Sequence, residues 1–207
     1  MQFVLAGLAL GLGAGLAPGP LMALVITTTL ASGFRPGVRV AFSPLVTDVV
    51  VIVASVLVVG ALPERATGAL GVAGGLYVVW LGIEALRERT VAAVEAPPRS
   101  GRDPLLRGAL LNLLSPHPWV FWLAVGGPLL VAAWSSSPAA AAGFLAAFYL
   151  LLIGSKVVLA AVVAGGRRHL DERGLRIAHL AAGVLLLLTG VVLVVQHVEG
   201  GVPGLAG

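Results

Sequence analysis

The feature that most constrains the fold is a series of six apolar runs, each long enough to cover the hydrocarbon core of a bilayer. They extend over residues 3–31, 38–60, 67–86, 107–134, 139–164 and 177–198 and are named spans 1 to 6. A helix needs about 20 apolar residues to cross that core, where it satisfies its own backbone hydrogen bonds. The sequence therefore predicts an all-α integral membrane protein with six transmembrane helices.

Composition supports this prediction and excludes several classes of protein. Of 207 residues, 58% are hydrophobic and 11% are charged, with a mean hydropathy of +1.03, whereas soluble domains have about 25% charged residues. Since the chain contains no cysteine, disulfides, thiolate catalysis and Cys-bound metals are excluded. The net charge of +4 comes from arginines in the connections between spans, so we expect no nucleic-acid binding.

The distribution of Lys and Arg predicts the orientation in the membrane. Of the thirteen, eleven lie in the first, third and fifth connections, Arg65 lies in the second, and Lys156 lies inside a span. Because positively charged connections stay on the cytoplasmic side, we expect a multi-pass protein of the cell (inner or plasma) membrane with both termini outside. No Lys or Arg precedes Arg35, so span 1 lacks the charged start of a signal peptide and is expected in the mature protein.

A long connection, residues 87–106, separates two halves of three spans (1–86 and 107–207) within one expected membrane domain. Span 3 ("GGLYVVWLG", 74–82) resembles span 6 ("AGVLLLLTG", 182–190) at an offset of 108 residues. The same offset lays Asp48 of span 2 over Lys156 of span 5. Because each half has three spans, the halves must enter the membrane from opposite sides. Such inverted repeats are typical of secondary transporters.

Proline pairs interrupt spans 1 and 4 at matching places. An offset of 98 lays Pro18 and Pro20 of "APGP" over Pro116 and Pro118 of "SPHP". Proline lacks a backbone donor and disfavours helical geometry in the residue before it, so both spans should break, at 18–20 and at 115–118. Half-helix N-termini near 21–22 and 119–120 would then offer N–H groups to a carboxylate, and the unwound carbonyls would suit an ammonium group. A proline kink that binds nothing is the alternative.

Asp48 and Lys156 are predicted to lie near the middle of the membrane. Asp48 comes nine residues after Arg39, and Lys156 comes eleven before Arg167. At about 1.5 Å per residue, both lie roughly 14–16 Å from the cytoplasmic face. An ionised side chain at that depth costs about 2.5–3.5 kcal/mol and usually pairs, faces water or relays protons. Two interpretations stay open: a static salt bridge, or a coupling pair in which Asp48 alternates between Lys156 and a proton.

The residues around the two breaks form a candidate substrate-binding site. It comprises Pro18, Gly19, Pro20, Asn112, Ser115, Pro116, His117 and Pro118. Asn112 could cap free backbone groups or contact solute. His117 has no second His or Cys at a helical spacing, so we expect no metal site and no cofactor. Gly7, Gly11 and Gly15 recur every four residues and are expected to pack closely against another helix.

Three segments resemble the lysine exporter (LysE/RhtB) superfamily, and the resemblance spans essentially the whole chain. They are "GLAPGP" in span 1, "GGLYVVWLG" in span 3 and "GALLNLLSPHPWVFW" in span 4. Similar exporters have a Pro-Gly-Pro break in the first helix and an aspartate in the second, which corresponds to Asp48. Their fourth helix has Asn-x-x-Asn-Pro-Lys, which falls on residues 112–117, where Ser115 and His117 replace Asn and Lys. The resemblance implies amino-acid efflux driven by the proton gradient.

Together, these features predict a secondary exporter and not an enzyme. It would move amino acids or related zwitterionic or carboxylated solutes, with protons, around a midplane site, and a homodimer is compatible with its size. An intramembrane enzyme is not supported, because G-x-S-x-G, H-E-x-x-H and redox cysteines are absent from the sequence. Two alternatives remain. An inorganic cation exporter would need oxygen ligands around Asp48, and a scaffold or sensor without transport would have no solute-sized cavity between the breaks.

Overall fold

The computed structural model describes residues 1–17, 19–87, 103–165 and 172–199, which form ten α-helices, one π-helical segment and no β-strand. The first five helices are α1 (Gln2–Leu16), α2 (Pro20–Ser32), α3 (Phe34–Ala41), α4 (Ser43–Gly60) and α5 (Glu64–Arg87). The others are α6 (Pro104–Leu114), α7 (Pro116–Phe121), the π-helical segment (Trp122–Gly126), α8 (Gly127–Ser136), α9 (Pro138–Gly165) and α10 (Glu172–Glu199). The all-α prediction is confirmed for this part of the chain.

Several of these stretches are long and apolar enough to cross a membrane. Among the described residues they are Phe34–Gly60, Pro116–Ser136 and Pro138–Gly165. The pair α1 and α2, bent by 59° at their junction, forms a fourth if it is one span. Shorter apolar helices occupy Gly68–Glu84, Pro104–Leu114 and Gly183–Val195. The architecture is that of a multi-pass helical membrane protein, whereas the count of six spans and the inverted repeat remain predictions.

Helix α1 lies directly against α9 because glycines let the two backbones approach. A Cβ atom added at Gly7 would lie 2.5 Å from the carbonyl oxygen of Phe144, and one added at Gly11 would lie 2.3 Å from that of Phe148. These contacts leave no room for a side chain at either position. The glycine stripe predicted from the four-residue spacing therefore does pack against another helix.

Helices α5 and α10 cross at two pairs of glycines. A Cβ atom at Gly75 would lie 3.1 Å from the Gly190 carbonyl oxygen, and one at Gly82 would lie 2.9 Å from that of Gly183. The offset of 108 maps Gly75 onto Gly183 and Gly82 onto Gly190. If each glycine is replaced by its counterpart in the other helix, the contact between Gly75 and Gly190 becomes the contact between Gly183 and Gly82. A pseudo-two-fold relation between inverted repeats has this consequence, so the contacts support the predicted repeat.

The largest hydrophobic core is rich in aromatic side chains from the π-helical segment, α7 and α9. The rings of Phe121 and Phe148 stack with centroids 5.2 Å apart, and the Trp122 ring meets Phe148 edge-on at 5.4 Å. These three side chains are buried, and they also line the cavity that lies between the helix breaks. The packed core therefore forms one wall of the candidate site.

Candidate functional site

The first break ends α1 at Leu16 and leaves carbonyl groups there without helical donors. A continuing helix would pair the Ala14 carbonyl with the N–H of residue 18. That residue is Pro18, which has no N–H; its own structure lies outside the described residues. The carbonyls of Ala14 and Gly15 are therefore acceptors at the negative end of a helix dipole.

Lys156 of α9 occupies this end of α1. Its Nζ donates to the Gly15 carbonyl at 2.8 Å and lies 3.5 Å from the Ala14 carbonyl. The side chain is 3% exposed, so the ammonium group is buried at the break. A cation of the protein thus satisfies the carbonyls that the sequence suggested for the ammonium group of a solute.

The second half of the broken span, α2, begins at Pro20. Gly19 precedes it with extended backbone (φ 176°, ψ 177°), and the Gly19 carbonyl accepts the N–H of Ala23 at 3.0 Å. The N–H groups of Leu21 and Met22 belong to the first turn, which has no earlier helical carbonyls to bond. The half-helix start therefore lies where the proline pattern predicted it.

The second break is narrower than predicted. Ser115 alone is extended (φ −78°, ψ 137°), between α6 and α7, and its Oγ donates to the Leu111 carbonyl at 2.6 Å. Pro116 and Pro118 lie within α7, because a first turn tolerates proline where no N–H is needed. The prediction of a break over 115–118 is therefore wrong in extent, and the half-helix starts at residue 116 instead of near 119–120.

Asp48 of α4 is 4% exposed and accepts hydrogen bonds from three other elements. Its Oδ1 accepts from Asn112 Nδ2 at 2.8 Å and lies 3.5 Å from the Thr47 hydroxyl. Its Oδ2 accepts from the Tyr149 hydroxyl at 3.0 Å and from Trp122 Nε1 at 3.3 Å. Asn112 Nδ2 also donates to the Thr47 hydroxyl at 2.7 Å. The carboxylate therefore joins α4 to α6, the π-helical segment and α9.

Trp122 and Tyr149 are site residues that the sequence did not reveal. A buried Trp or Tyr usually finds a partner for its polar tip, and this general tendency was the available signal. In this structure both groups donate to Asp48, whereas a bound cation would need oxygen atoms that accept at these places. The described residues also contain no group of three His, Cys, Asp or Glu suited to a metal. The surroundings of Asp48 therefore do not favour a cation exporter.

Asp48 and Lys156 face one cavity without forming an ion pair. The carboxylate is bonded to side-chain donors, and the ammonium group is bonded to backbone carbonyls. Arg39 and Asp103 form an ion pair at 3.5 Å, with both side chains exposed, at a different place in the structure. The static Asp48–Lys156 salt bridge is therefore not formed in this conformation, and the coupling pair stays a prediction.

The cavity between the breaks measures about 140 Å³. Eight of the residues predicted from the sequence line it: Gly19, Pro20, Asp48, Asn112, Ser115, His117, Pro118 and Lys156. Pro116 is exposed and is not among the lining residues, and the placement of Pro18 lies outside the described residues. A single water needs about 10–15 Å³, so the space suits a small solute. The cavity is evidence against a scaffold or sensor without transport, which was expected to have no solute-sized cavity between the breaks.

Apolar and aromatic side chains complete the cavity wall. They include Leu21, Tyr77, Leu81, Phe121, Phe148 and Leu152. Small-molecule sites typically combine such walls with a few polar groups that fix orientation. The polar groups here are concentrated at the two breaks and around Asp48. The cavity can therefore hold a solute with one polar end and a short apolar part.

Two comparisons with known proteins give results. The family model of the LysE type translocators matches residues 13–197. The chemotactic transduction protein ChpE of Pseudomonas aeruginosa is 29% identical over 133 residues, which cover 62% of this chain and 66% of the relative. The match thus spans slightly less than two thirds of that relative's length. No solved structure matches the chain.

The family match agrees with the resemblance found in spans 1, 3 and 4 and confirms it. The matched range contains both breaks and the two buried charged residues, Asp48 and Lys156. Because translocators move solutes without transforming them, the prediction that the protein is not an enzyme is also confirmed. The chain belongs to the LysE type translocator family.

Proposed function

We propose that the protein is a secondary exporter, coupled to protons, of amino acids or related small solutes that carry a carboxylate. The observation that carries this proposal is the shared cavity, which is lined by residues of both helix breaks and by Asp48 and Lys156. Secondary transporters use broken helices in this way, because the ends of half-helices supply donors and acceptors in the membrane. Alternating access would expose the cavity to each side in turn.

The start of α2 and Lys156 provide the recognition of a carboxylate. The first-turn N–H groups of Leu21 and Met22 lie at the positive end of the α2 dipole, which favours anions. Lys156 adds a full positive charge at the other side of the same break, 2.8 Å from the Gly15 carbonyl. A carboxylate at this place would be stabilised by both.

Asp48 is the proton-carrying residue in this proposal. Its two oxygens accept hydrogen bonds from Asn112, Trp122 and Tyr149, which lie on three other elements. A protonated carboxyl group has a donor of its own and fewer acceptor sites, so protonation would change these bonds. Proton binding would therefore alter the contacts that hold α4 to α6 and α9, and it would bias the two arrangements of an alternating-access cycle.

Efflux from preloaded proteoliposomes tests the proposal. We expect at least one carboxylate-bearing solute from an amino-acid and organic-acid panel to leave faster than from protein-free vesicles, and an imposed pH gradient to drive its accumulation. Absence of protein-dependent flux for every carboxylate-bearing solute would contradict the solute class. Flux that no pH gradient influences would contradict proton coupling.

The variant Asp48→Asn separates transport from coupling. It removes the titrating group at nearly unchanged size, so we expect solute exchange to persist while accumulation against a gradient is lost. The matched control is Asp103→Asn, since Asp103 is an exposed carboxylate that caps α6 by accepting the Leu105 N–H at 2.8 Å. Asn is an equally good N-cap, so this variant should keep both activities. Normal accumulation by Asp48→Asn would show that another group carries the proton.

A further inference from the structure

We propose that Lys156 sets the substrate class of the cavity by occupying the place of a solute's ammonium group. The site then selects small organic acids by their carboxylate and does not require an amino group. This inference rests on the proposed transport through the same cavity and narrows the class of solute.

The carbonyls at the end of α1 are the first acceptors that an ammonium group would use. Lys156 Nζ already lies 2.8 Å from the Gly15 oxygen and 3.5 Å from the Ala14 oxygen. A second ammonium group at this position would meet a like charge at contact distance inside a buried site, which is strongly unfavourable. The end of α1 is therefore closed to a solute cation while Lys156 is present.

The carboxylate of Asp48 is the second acceptor, and it is also engaged. A carboxylate has about four acceptor sites. Tyr149, Trp122 and Asn112 occupy three of them and the Thr47 hydroxyl lies 3.5 Å from Oδ1, so a solute ammonium would have to displace one of these groups. Each displaced donor would be left buried without a partner, which opposes the exchange. Both charged groups that line the cavity are thus bonded within the protein before a solute enters.

The remaining polar side chains do not replace these acceptors. Ser115 donates its hydroxyl to the Leu111 carbonyl, and its side chain carries no charge. His117 is exposed at the rim of the cavity. Asn112 donates its N–H groups to Thr47 and Asp48, and the acceptor it has left, its amide oxygen, carries no charge. The charge that stays available to a solute is that of Lys156, whose ammonium group has three N–H donors and two neighbouring carbonyls.

Paired ligands test the inference with purified protein in detergent. The pairs are alanine with propionate and leucine with 4-methylpentanoate, and alaninamide and leucinamide serve as analogues without a carboxylate. Binding is measured as the rise in thermal unfolding temperature with ligand concentration. We expect each organic acid to bind at least as tightly as its amino acid and the amides to give no shift. An amino acid that binds more tightly than its organic acid would overturn the inference.

Variants of Lys156 give an independent readout. Lys156→Met keeps the approximate length of the side chain but frees the Ala14 and Gly15 carbonyls, so the preference should move at least tenfold towards the amino acid. Lys156→Arg keeps the cation and should keep the ratio of the two affinities found in the native protein. An unchanged preference in Lys156→Met would overturn the role of Lys156. If no compound with a carboxylate raises the unfolding temperature of the native protein, the proposed function itself fails. That outcome differs from tighter binding of amino acids by the native protein, which contradicts the inference alone.

Discussion

At the scale of single residues, the partners of buried polar atoms distinguish functional from structural positions on α4. Asp48 and Ser55, about two turns later, are both buried. Asp48 accepts hydrogen bonds from donors on three other elements. Ser55 Oγ is the buried side-chain atom without a hydrogen-bond partner among the described residues. Ser55 lies next to Gly127, where an added Cβ would be 3.4 Å from the Ser55 Cβ. Ser55 thus packs beside the place where the π-helical segment ends and α8 begins.

We expect Ser55→Ala to leave thermal stability unchanged or to raise it, because an unsatisfied buried hydroxyl costs about 1–3 kcal/mol. Ser43 is the matched control, since it is equally buried but donates to the Val40 carbonyl at 2.7 Å. Ser43→Ala should lower the free energy of unfolding by about 1 kcal/mol. Thermal unfolding of both purified variants measures the difference. A larger loss of stability for Ser55→Ala than for Ser43→Ala would mean that Ser55 has a partner.

At the scale of helices, the sequence predicted where the two breaks lie better than it predicted which residues leave the helical conformation. Pro20 starts α2 as the pattern indicated. The second proline pair was expected to unwind span 4, but Pro116 and Pro118 fit into the first turn of α7. The π-helical segment that follows was not predicted, since no periodicity in the sequence indicates it. Its first residue, Trp122, bonds Asp48 of another helix, and such a contact depends on packing.

The same distinction explains which site residues could be found from the sequence. Asp48 and Lys156 were recognisable because a charge inside an apolar run is costly and therefore conspicuous. Their partners were not recognisable, because the tertiary structure alone brings Tyr149 of α9 to Asp48 and the Gly15 carbonyl of α1 to Lys156. The sequence offset of 108 aligned the two charged residues. That they bond different partners and not each other follows from the tertiary structure.

The packing of α1 on α9 predicts the effect of enlarging its glycines. Gly11→Ala should destabilise the protein by about 1–3 kcal/mol, because the new Cβ would lie 2.3 Å from the Phe148 carbonyl oxygen. Backbone atoms cannot rotate away as a side chain can. Gly154→Ala on α9 is the control, since an added Cβ there has no neighbour within 4 Å apart from the local backbone of its own helix. It should stabilise the helix by about 0.5–1 kcal/mol. Equal unfolding temperatures for the two variants would exclude this contact.

At the scale of the whole molecule, the support for two inverted halves comes from contacts between them. The glycine pairs of α5 and α10 exchange under the offset of 108, and the aligned residues Asp48 and Lys156 line one cavity. The outer surface is apolar, with Val46, Val50 and Val53 of α4 all more than half exposed. Such a surface suits contact with lipid. It does not distinguish a monomer from a homodimer, so the homodimer stays a prediction. The direction in which the molecule crosses the membrane is a prediction from the distribution of its Lys and Arg residues.

Single cysteines test that direction, since the chain has none of its own. Ser32 ends α2 in the first connection, Ser136 ends α8 in the fourth, and both are exposed. Because eleven of thirteen Lys and Arg lie in the odd connections, a membrane-impermeant maleimide should label Ser136→Cys in intact cells. It should label Ser32→Cys only after permeabilisation, and the cysteine-free protein should stay unlabelled throughout. Spans 2, 3 and 4 separate the two positions, so labelling of both from outside would mean that one of these spans does not cross. The reverse pattern would place both termini in the cytoplasm.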